Sequence, residues 1–326
     1  MQVPNKLVNR KELFFAWMKL IRLPNIIILA AIIILLHVGV YIPFYASMNI
    51  ASPLNGWVFA VFVLSVSLIA SGGNIINDYF DYQIDLINRP DKLVIEKMIS
   101  KQSALNVYQL ITVVGILGGF VAGWLIGIFK IGFFFGFGAV LLYSYSETFK
   151  RKLLIGNLII ALLGFLFIML LWIVEFFALR NSAGSFVVVY PSFLKINVLM
   201  VGYALFAFLT TLIREIIKDM EDVEGDKSNG CQTIPIVKGI PTARLIVCSL
   251  IVITILLLFF CAYLCMKHNL NVLSKLLLYG INVQLIILFT RFYKAKNKAE
   301  FHTASIMMKV IMVFGILGIL LINLDF

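Results

Sequence analysis

The longest uncharged stretch of the chain constrains its fold more than any other feature. No Lys, Arg, Asp or Glu occurs between Leu23 and Asn77, a run of 55 residues. A helix needs about 17–25 apolar residues to cross the hydrocarbon core of a bilayer, so this run is long enough for two crossings. The turn-forming residues Ser52–Gly56 interrupt it. The stretch therefore predicts two membrane-spanning helices joined by a short turn.

The composition of the whole chain agrees with a membrane protein. Of its 326 residues, 62% are hydrophobic and 13% are charged, and the mean hydropathy is +1.02. Soluble domains carry about 25% charged residues, so this chain lacks the polar side chains that would cover a water-soluble fold of its length. The net charge of +11 is therefore interpreted as a marker of membrane topology, and no nucleic-acid partner is expected.

Seven further apolar segments complete the predicted topology. Nine spans place 21 of the 27 Lys and Arg residues at the N-terminus and in the loops after spans 2, 4, 6 and 8, against five on the opposite side. Because cytoplasmic loops are enriched in Lys and Arg, the N-terminus is predicted to be cytoplasmic. The sequence thus predicts an all-α, polytopic protein of the cell membrane, with a single domain over residues 1–326. The seven segments cover about 104–127, 131–147, 153–177, 194–216, 245–266, 273–291 and 303–324.

Two acidic motifs form an internal repeat with an offset of 141 residues. Motif 1 lies at 74–92 and motif 2 at 215–230, and both contain the pattern I-I-x-D-x-x-D-x-x-x-D. Four spans separate them, so both are expected on the same membrane face. The i, i+3, i+7 spacing predicts that each motif places three carboxylates on one face of a helix. These carboxylates are Asp78, Asp81 and Asp85 in motif 1, and Asp219, Asp222 and Asp226 in motif 2.

Carboxylates at this spacing repel one another unless a cation bridges them. Neither motif contains His or Cys, and oxygen donors without nitrogen or sulfur favour Mg²⁺. Mg²⁺ is usually held by one or two carboxylates together with substrate phosphates. The two clusters are therefore suited to two or three Mg²⁺ ions that bind a diphosphate.

Polar and aromatic residues near the motifs extend the predicted site. Basic side chains could neutralise a leaving diphosphate, and aromatic rings could shield an allylic carbocation. Positive-inside anchoring and an interfacial aromatic belt are the structural alternatives for these two groups. The candidates are Asn74, Asn77, Arg89, Lys218, Lys150, Arg151, Arg22, Asn25, Tyr82 and Tyr143.

The three histidines have no carboxylate or Cys at a metal-ligand spacing in the sequence. His37 is interpreted as a tolerated polar residue within a span. His268 and His302 are interpreted as loop residues.

The paired motifs resemble those of the UbiA superfamily of intramembrane prenyltransferases. That family has nine helices, an NDxxDxxxD motif after helix 2 and a DxxDxxxD motif after helix 6. This chain has NDYFDYQID and DMEDVEGD at those places. Further similar runs are NRP at 88–90, YSYSETFKRK at 143–152, Gly156-Asn157 and TIPIVKG at 233–239.

The resemblance implies Mg²⁺-dependent transfer of a prenyl group from an allylic diphosphate to an acceptor in the lipid bilayer, with release of diphosphate. It implies that the six motif aspartates and Asn77 bind Mg²⁺ and that Lys150 and Arg151 contact the diphosphate. The prenyl chain would lie among the helices, where apolar walls exclude the water that would quench a carbocation. The active site would face the cytoplasm.

The implied acceptor is a lipid alcohol or an aromatic compound. The run REIIKDMEDVEGDKSNGCQTIPIVKG is most similar to family members that alkylate a hydroxyl of geranylgeranylglyceryl phosphate. After NRPD, however, many members continue with a proline and then PSG, whereas this chain has KLVIEK at Lys92–Lys97. The similarity around motif 2 favours the lipid alcohol, and the departure after motif 1 keeps an aromatic quinone precursor as the alternative.

A cation transporter is the alternative from a different functional class, because many transporters are built from internal repeats. Transporter sites usually lie near the bilayer midplane on broken helices. Here the acids lie at predicted helix ends beside basic residues. This placement favours a phosphate ligand and an enzyme.

Overall fold

A computed structural model describes residues 9–88, 93–228, 230–322 and 325 of the chain. Over these residues the regular structure is helical, without a β-strand, and nine segments are long and apolar enough to cross a membrane. The predicted all-α class and the nine spans are confirmed. The spans are Leu23–Ala46, Gly56–Gln83, Lys101–Leu125, Phe129–Glu147, Ile155–Asn181, Ala183–Glu221, Ile240–Lys267, Asn271–Lys294 and Lys298–Ile322.

Ten longer α-helices build these spans and the segment before them. They are α1 (Arg10–Leu20), α2 (Leu23–Leu36), α3 (Gly56–Asn88), α4 (Lys101–Leu125), α5 (Gly132–Glu147), α6 (Ile155–Asn181), α7 (Phe193–Glu221), α8 (Ile240–Lys267), α9 (Asn282–Lys294) and α10 (Lys298–Leu317). Shorter helical pieces lie at Ile42–Ala46, Ala183–Val189, Val223–Ser228, Ile234–Val237, Asn271–Lys275 and Ile319–Ile322, with π-helical turns at His37–Tyr41 and Leu276–Ile281. Single 3₁₀ turns occupy Phe129–Ile131, Phe149–Arg151 and Tyr190–Ser192.

The helices group into two compact units. Unit 1 takes in the described parts of Met1–Ala31, Phe59–Leu125 and Phe129–Thr148. Unit 2 takes in the described parts of Ile32–Val58, Ile126–Ile128 and Phe149–Phe326. The aspartates of motif 1 belong to unit 1 and those of motif 2 belong to unit 2, so each unit carries one copy of the acidic repeat.

Close packing of α4 against α3 and α5 holds unit 1 together. A Cβ atom at Gly115 would lie 2.8 Å from Cγ1 of Ile69, and one at Gly119 would overlap the ring of Phe135. The four-residue spacing puts both glycines on one face of α4, a pattern that lets membrane helices approach closely. Phe62 meets Phe135 edge to face, with ring centroids 5.9 Å apart. These contacts fix α3, whose C-terminal end carries motif 1.

The segment that follows motif 1 is part of the core of unit 1. Val94, Ile95 and Ile99 are at most 6% exposed, and they cluster with Leu20 of α1 and Ile75 of α3. Burial of apolar side chains from three separate segments stabilises this end of the unit. Two residues of the run that departs from the UbiA pattern, Val94 and Ile95, therefore belong to the core of unit 1.

Helix α7 is central to unit 2. It packs against α6, α8 and α10. Its buried residues, which include Ile196, Met200, Ile213 and Ile217, are spaced along its whole length. Because α7 ends within motif 2, the packing of this helix sets the position of the motif.

A buried polar cluster lies in unit 2, far along the first span. The π-helical turn after α2 presents His37, whose Nδ1 hydrogen-bonds Oε1 of Glu175 on α6. The side chains of both residues are at most 6% exposed. The Tyr45 hydroxyl donates to Oε2 of Glu175 at 3.5 Å. His37 thus has a carboxylate partner 138 residues away in the sequence, which no local spacing could reveal.

We expect His37→Leu to destabilise the protein by about 3 kcal/mol or more, because removal of one member of a buried pair leaves the other without its partner. Glu175→Leu should lower the free energy of unfolding by a similar amount. The double variant should recover much of the loss, since an apolar replacement of the whole pair leaves no buried charge. Unfolding of the purified variants in detergent measures this coupling. Strictly additive losses in the double variant would show that the pair is not coupled.

Candidate active site

Motif 1 lies on the last turns of α3. Asp78, Asp81 and Asp85 all fall within this one helix. Asp81 is 6% exposed and its Oδ2 accepts a hydrogen bond of 2.9 Å from Nδ2 of Asn77, which is also buried. The bond joins residues four apart on the helix and holds the Asp81 carboxylate in a fixed orientation.

The junction between α1 and α2 covers the start of motif 1. Arg22 lies between the two helices with a φ of +55°, and its Nη2 donates to Oδ1 of Asp78 at 2.7 Å. Asn74 donates through Nδ2 to the backbone oxygen of Ile21 at 2.8 Å. The two bonds attach the junction to α3, so the structure brings Arg22 to motif 1, with Asn74 of the motif holding the backbone beside it. Asn25, one turn further along, is exposed.

Aromatic rings flank motif 1. Tyr79 meets Phe80 edge to face at 5.4 Å, and Phe80 meets Tyr143 of α5 at 5.6 Å between ring centroids. The Nζ of Lys101, the first residue of α4, lies 4.2 Å from the ring centroid of Tyr82 and 5.9 Å from that of Tyr79. Tyr82 is part of the motif, and Tyr143 and Lys101 therefore lie beside it. Sequence reasoning missed Lys101, because it stands outside both motifs.

Motif 2 spans a break in the helix. Asp219 lies near the end of α7, Asp222 follows its last residue with φ −101° and ψ 11°, and Asp226 lies in the short helix Val223–Ser228. The prediction of three carboxylates on one face of a single helix thus holds for motif 1 and is wrong for motif 2. Negative side chains are unfavourable at the C-terminus of a helix, where the backbone dipole is also negative, and Asp is a weak helix former. Both effects favour a break at this acidic run.

Unit 2 brings Asn157 and a basic turn to motif 2. Asn157, at the start of α6, is 8% exposed and donates through Nδ2 to Oδ2 of Asp219 at 2.8 Å. Lys150 and Arg151 lie in the 3₁₀ turn before α6. The backbone oxygen of Arg151 accepts from the backbone N–H of Gln232 at 3.0 Å. Because Gln232 comes two residues after motif 2, this bond places the basic turn beside the motif.

A glycine allows the basic turn to fold onto α6. A Cβ atom at Gly156 would lie 2.9 Å from the backbone oxygen of Phe149 and 3.0 Å from Cα of Lys150. These contacts are backbone atoms, which cannot rotate away as a side chain can. Gly156 therefore lets the backbone of the basic turn approach α6 closely, and the side-chain amide of the next residue, Asn157, reaches motif 2.

Charged side chains on α7 pair both within their own helix and with α10. Glu215 forms ion pairs with Arg214 at 2.8 Å and with Lys218 at 3.7 Å. Nδ1 of His302 forms a hydrogen bond with Oε1 of Glu221 at 2.8 Å. His302 lies within α10, so its interpretation as a loop residue is wrong. These contacts join residues on separate helices or within one turn, and sequence reasoning did not single out Glu215 or Glu221.

The remaining predicted site residues differ in their exposure to solvent. The side chains of Asp85, Asp222, Asp226 and Lys150 are partly buried, and that of Arg151 is exposed. Arg89 lies outside the described residues.

The donor chemistry of the motifs suits Mg²⁺ better than a metal that needs a closed protein cage. In the part of the chain that the structure describes, no three His, Cys, Asp or Glu residues converge as a ready-made metal site. Structural Zn²⁺ would need four such ligands. Mg²⁺ takes one or two carboxylates and completes its shell with water and substrate phosphates. The carboxylates of each motif are donors of the kind that this smaller set requires.

Comparison with known proteins identifies the family. The model of the UbiA prenyltransferase family matches residues 40–313, which include both motifs. The chain belongs to the UbiA prenyltransferase family. It is therefore a multi-pass membrane enzyme that transfers prenyl groups.

Individual relatives of this UbiA family member agree with that assignment. The chain is 32% identical over 260 residues to a digeranylgeranylglyceryl phosphate synthase of Methanobrevibacter smithii, covering 78% of this chain and 84% of that protein. A solved structure of digeranylgeranylglyceryl phosphate synthase is 25% identical, with a TM-score of 0.65 over 97% of this chain and 100% of that one. A UbiA homologue from Archaeoglobus fulgidus bound to GPP and Mg²⁺ is 15% identical, with a TM-score of 0.56 over 93% of this chain and 99% of that one. This last likeness shows the shared fold.

We expect Asn157→Leu to slow prenyl transfer roughly ten- to a hundredfold, because Asp219 is a predicted Mg²⁺ ligand and removal of a group that orients such a ligand has an effect of about this size. Leu has a similar volume but cannot donate to Asp219. The rate is measured with purified protein at saturating substrates. Asn197→Leu is the matched control, because it removes a 2.9 Å bond from Trp172 Nε1 in the same unit, about 33 Å along α7 from Asp219. Equal rates in the two variants would exclude a specific role for Asn157.

Proposed function

We propose that this UbiA family member transfers a geranylgeranyl group from geranylgeranyl diphosphate to the hydroxyl of geranylgeranylglyceryl phosphate. The observation that carries the proposal is the similarity to a digeranylgeranylglyceryl phosphate synthase over 78% of the chain. The donor and the acceptor both follow from the product that this name describes. The run around motif 2 supports the same acceptor through its resemblance to enzymes of this type.

The proposed reaction is an alkylation of an alcohol. The bond between C1 of the prenyl group and the diphosphate oxygen breaks, and diphosphate leaves with the bonding electrons. The acceptor oxygen forms the new bond to C1 and loses its proton. The products are an ether, diphosphate and one proton.

Mg²⁺ is part of the proposal, because the motifs supply oxygen donors and the Archaeoglobus fulgidus homologue binds Mg²⁺ together with GPP. When bound, Mg²⁺ would supply positive charge that stabilises the leaving diphosphate. The proposed ligands are Asp78, Asp81, Asp85, Asp219, Asp222, Asp226 and Asn77.

Other side chains of the enzyme would act on the donor directly. Arg22, which pairs with Asp78, and the basic turn with Lys150 and Arg151 carry the positive charge that a diphosphate requires. The faces of Tyr82 and Tyr143 would attract the positive charge that develops on the prenyl group. The apolar helices around the prenyl group would exclude water, which would otherwise react with the carbocation.

Product analysis by mass spectrometry tests the proposal. We expect purified protein, given geranylgeranyl diphosphate and Mg²⁺, to convert geranylgeranylglyceryl phosphate to the diether phosphate, and EDTA to abolish the reaction. Competing 4-hydroxybenzoate, dihydroxynaphthoate and homogentisate should remain unmodified. A prenylated aromatic ring would instead assign the enzyme to quinone synthesis. Cation flux in liposomes without release of diphosphate would assign it to transport.

Single substitutions in the motifs test the roles of the carboxylates in the same assay. Asp81→Asn and Asp222→Ala should abolish turnover, because each removes a negative oxygen donor from the proposed ligand set. Expression and monodispersity in detergent should be retained. Glu224→Ala is the matched control, since Glu224 is an exposed acid within motif 2 but outside the repeated spacing. Near-normal turnover of the Asp81 or Asp222 variant would contradict the two-motif site.

We also propose that residues 1–326 act as one domain in the cell membrane, with the N-terminus and both motifs on the cytoplasmic side. The 21-to-5 division of basic residues supports this orientation. The chain contains a useful reporter in Cys231, which directly follows motif 2 and is partly exposed.

Labelling of cysteines in intact cells tests the orientation. In a background with Cys248, Cys261 and Cys265 changed to Ala, a membrane-impermeant maleimide should label Cys231 only after the cells are permeabilised. Ala51→Cys, in the turn after the first span, should be labelled in intact cells. The reverse result would show that the motifs face outward.

A further inference from the structure

We propose that Lys101 binds the phosphate group of the acceptor, at a subsite on the flank of motif 1. The inference rests on the proposed function, since that acceptor carries a phosphate in addition to the hydroxyl that is alkylated. The donor brings a diphosphate of its own. The enzyme must therefore hold two separate anionic groups.

The surroundings of Lys101 leave its charge available to a ligand. Its Nζ lies over the rings of Tyr82 and Tyr79, at 4.2 and 5.9 Å from their centroids. In the described part of the chain it forms neither an ion pair nor a hydrogen bond through Nζ. A cation over an aromatic face is attracted by the ring but keeps its full charge. Lys101 is therefore a positioned ammonium that forms no ion pair with a carboxylate of the described residues.

The position of Lys101 separates it from the carboxylates of motif 1. Tyr79 and Tyr82 each follow a motif aspartate by one residue, so they project about 100° around α3 from the aspartate face. A ligand bound at Lys101 would lie beside the motif and not on its metal-binding side. Arg22 is already directed at Asp78. The two cations thus serve different positions around the same helix end.

The two tyrosine rings beneath the Lys101 ammonium are firmly packed. Tyr79 and Tyr82 pack against the cluster that includes Val94, Ile95 and Ile99. The N-terminus of α4 has its own protein partner, because Oε1 of Glu96 accepts from the backbone N–H of Lys101 at 2.7 Å. The backbone N–H of Lys101 is therefore occupied by Glu96, and the side chain of Lys101 is the part of this residue that can bind an anion.

A phosphate monoester is the anion that fits a single lysine beside an acidic motif. It carries a charge of about −1.5 to −2 near neutral pH. Lysine binds phosphate as a compact point charge with three donors. A neutral acceptor would gain nothing from this ammonium, so Lys101 would also contribute to selection between a phosphorylated lipid alcohol and an unphosphorylated one.

Steady-state kinetics with two acceptors test the inference. Wild-type, Lys101→Met and Lys101→Arg proteins are compared on geranylgeranylglyceryl phosphate and on geranylgeranylglycerol, which lacks the phosphate. We expect Lys101→Met to raise the KM for the phosphorylated acceptor about tenfold or more, the loss expected for one charge-assisted hydrogen bond. The KM for geranylgeranyl diphosphate and the kcat should stay near wild type. Lys101→Arg, which keeps the charge, should retain most of the affinity.

Lys97→Met is the matched control, because Lys97 is an exposed lysine in the same segment. It should leave the KM values for both acceptors unchanged. Thermal unfolding in detergent confirms that each variant is folded, and Lys101→Gln replaces the Met variant if that protein is unstable.

The outcomes separate the inference from the function on which it rests. An unchanged KM for the phosphorylated acceptor in folded Lys101→Met would overturn the inference and leave the proposed function standing. An equal rise for both acceptors would also overturn it, since it would indicate a packing role on the tyrosine rings. Failure of the wild-type protein to form any diether phosphate would overturn the proposed function itself.

Discussion

A bilayer offers no hydrogen bonds to the backbone, so a chain that crosses it must satisfy every N–H and C=O within its own helices. This constraint confines chemistry that needs charge to the ends of those helices. The aspartates of motif 1 lie on the last turns of α3, and motif 2 begins in the last two turns of α7. Glu175 is an exception, since it is deeply buried within a span. This carboxylate needs polar partners there, and it contacts both His37 and Tyr45. The fold thus places both acidic motifs at helix ends.

The two copies of the acidic repeat are equivalent in sequence but not in surroundings. Asp78 and Asp219 correspond through the 141-residue offset. Asp78 accepts from the guanidinium of Arg22, whereas Asp219 accepts from the neutral amide of Asn157. A charged partner offsets the negative charge of a carboxylate, while an amide only orients it. The repeat therefore supplies two aspartates that differ in local charge, because their partners come from segments outside the repeat.

Much of the architecture could be predicted from local sequence, since the length of an apolar run and the spacing of carboxylates are local properties. The nine spans and the helix that carries Asp78, Asp81 and Asp85 follow from such patterns. The contacts between Asn157 and Asp219 and between His37 and Glu175 could not be predicted, because they join residues 62 and 138 positions apart. The break at Asp222 was also missed. It depends on the balance between a repeated spacing and the cost of acids at a helix end.

The segment after motif 1 shows how a departure from a family pattern can be structural. KLVIEK stands where many UbiA relatives have a proline-containing run, and its Val94 and Ile95 are buried against α1 and α3. The buried part of such a segment faces the protein core and not a substrate. It instead fixes the side chains packed on it, which here are Tyr79 and Tyr82. Differences in acceptor among UbiA enzymes can therefore arise from the polar groups that such a packed segment positions, even where the segment itself touches no ligand.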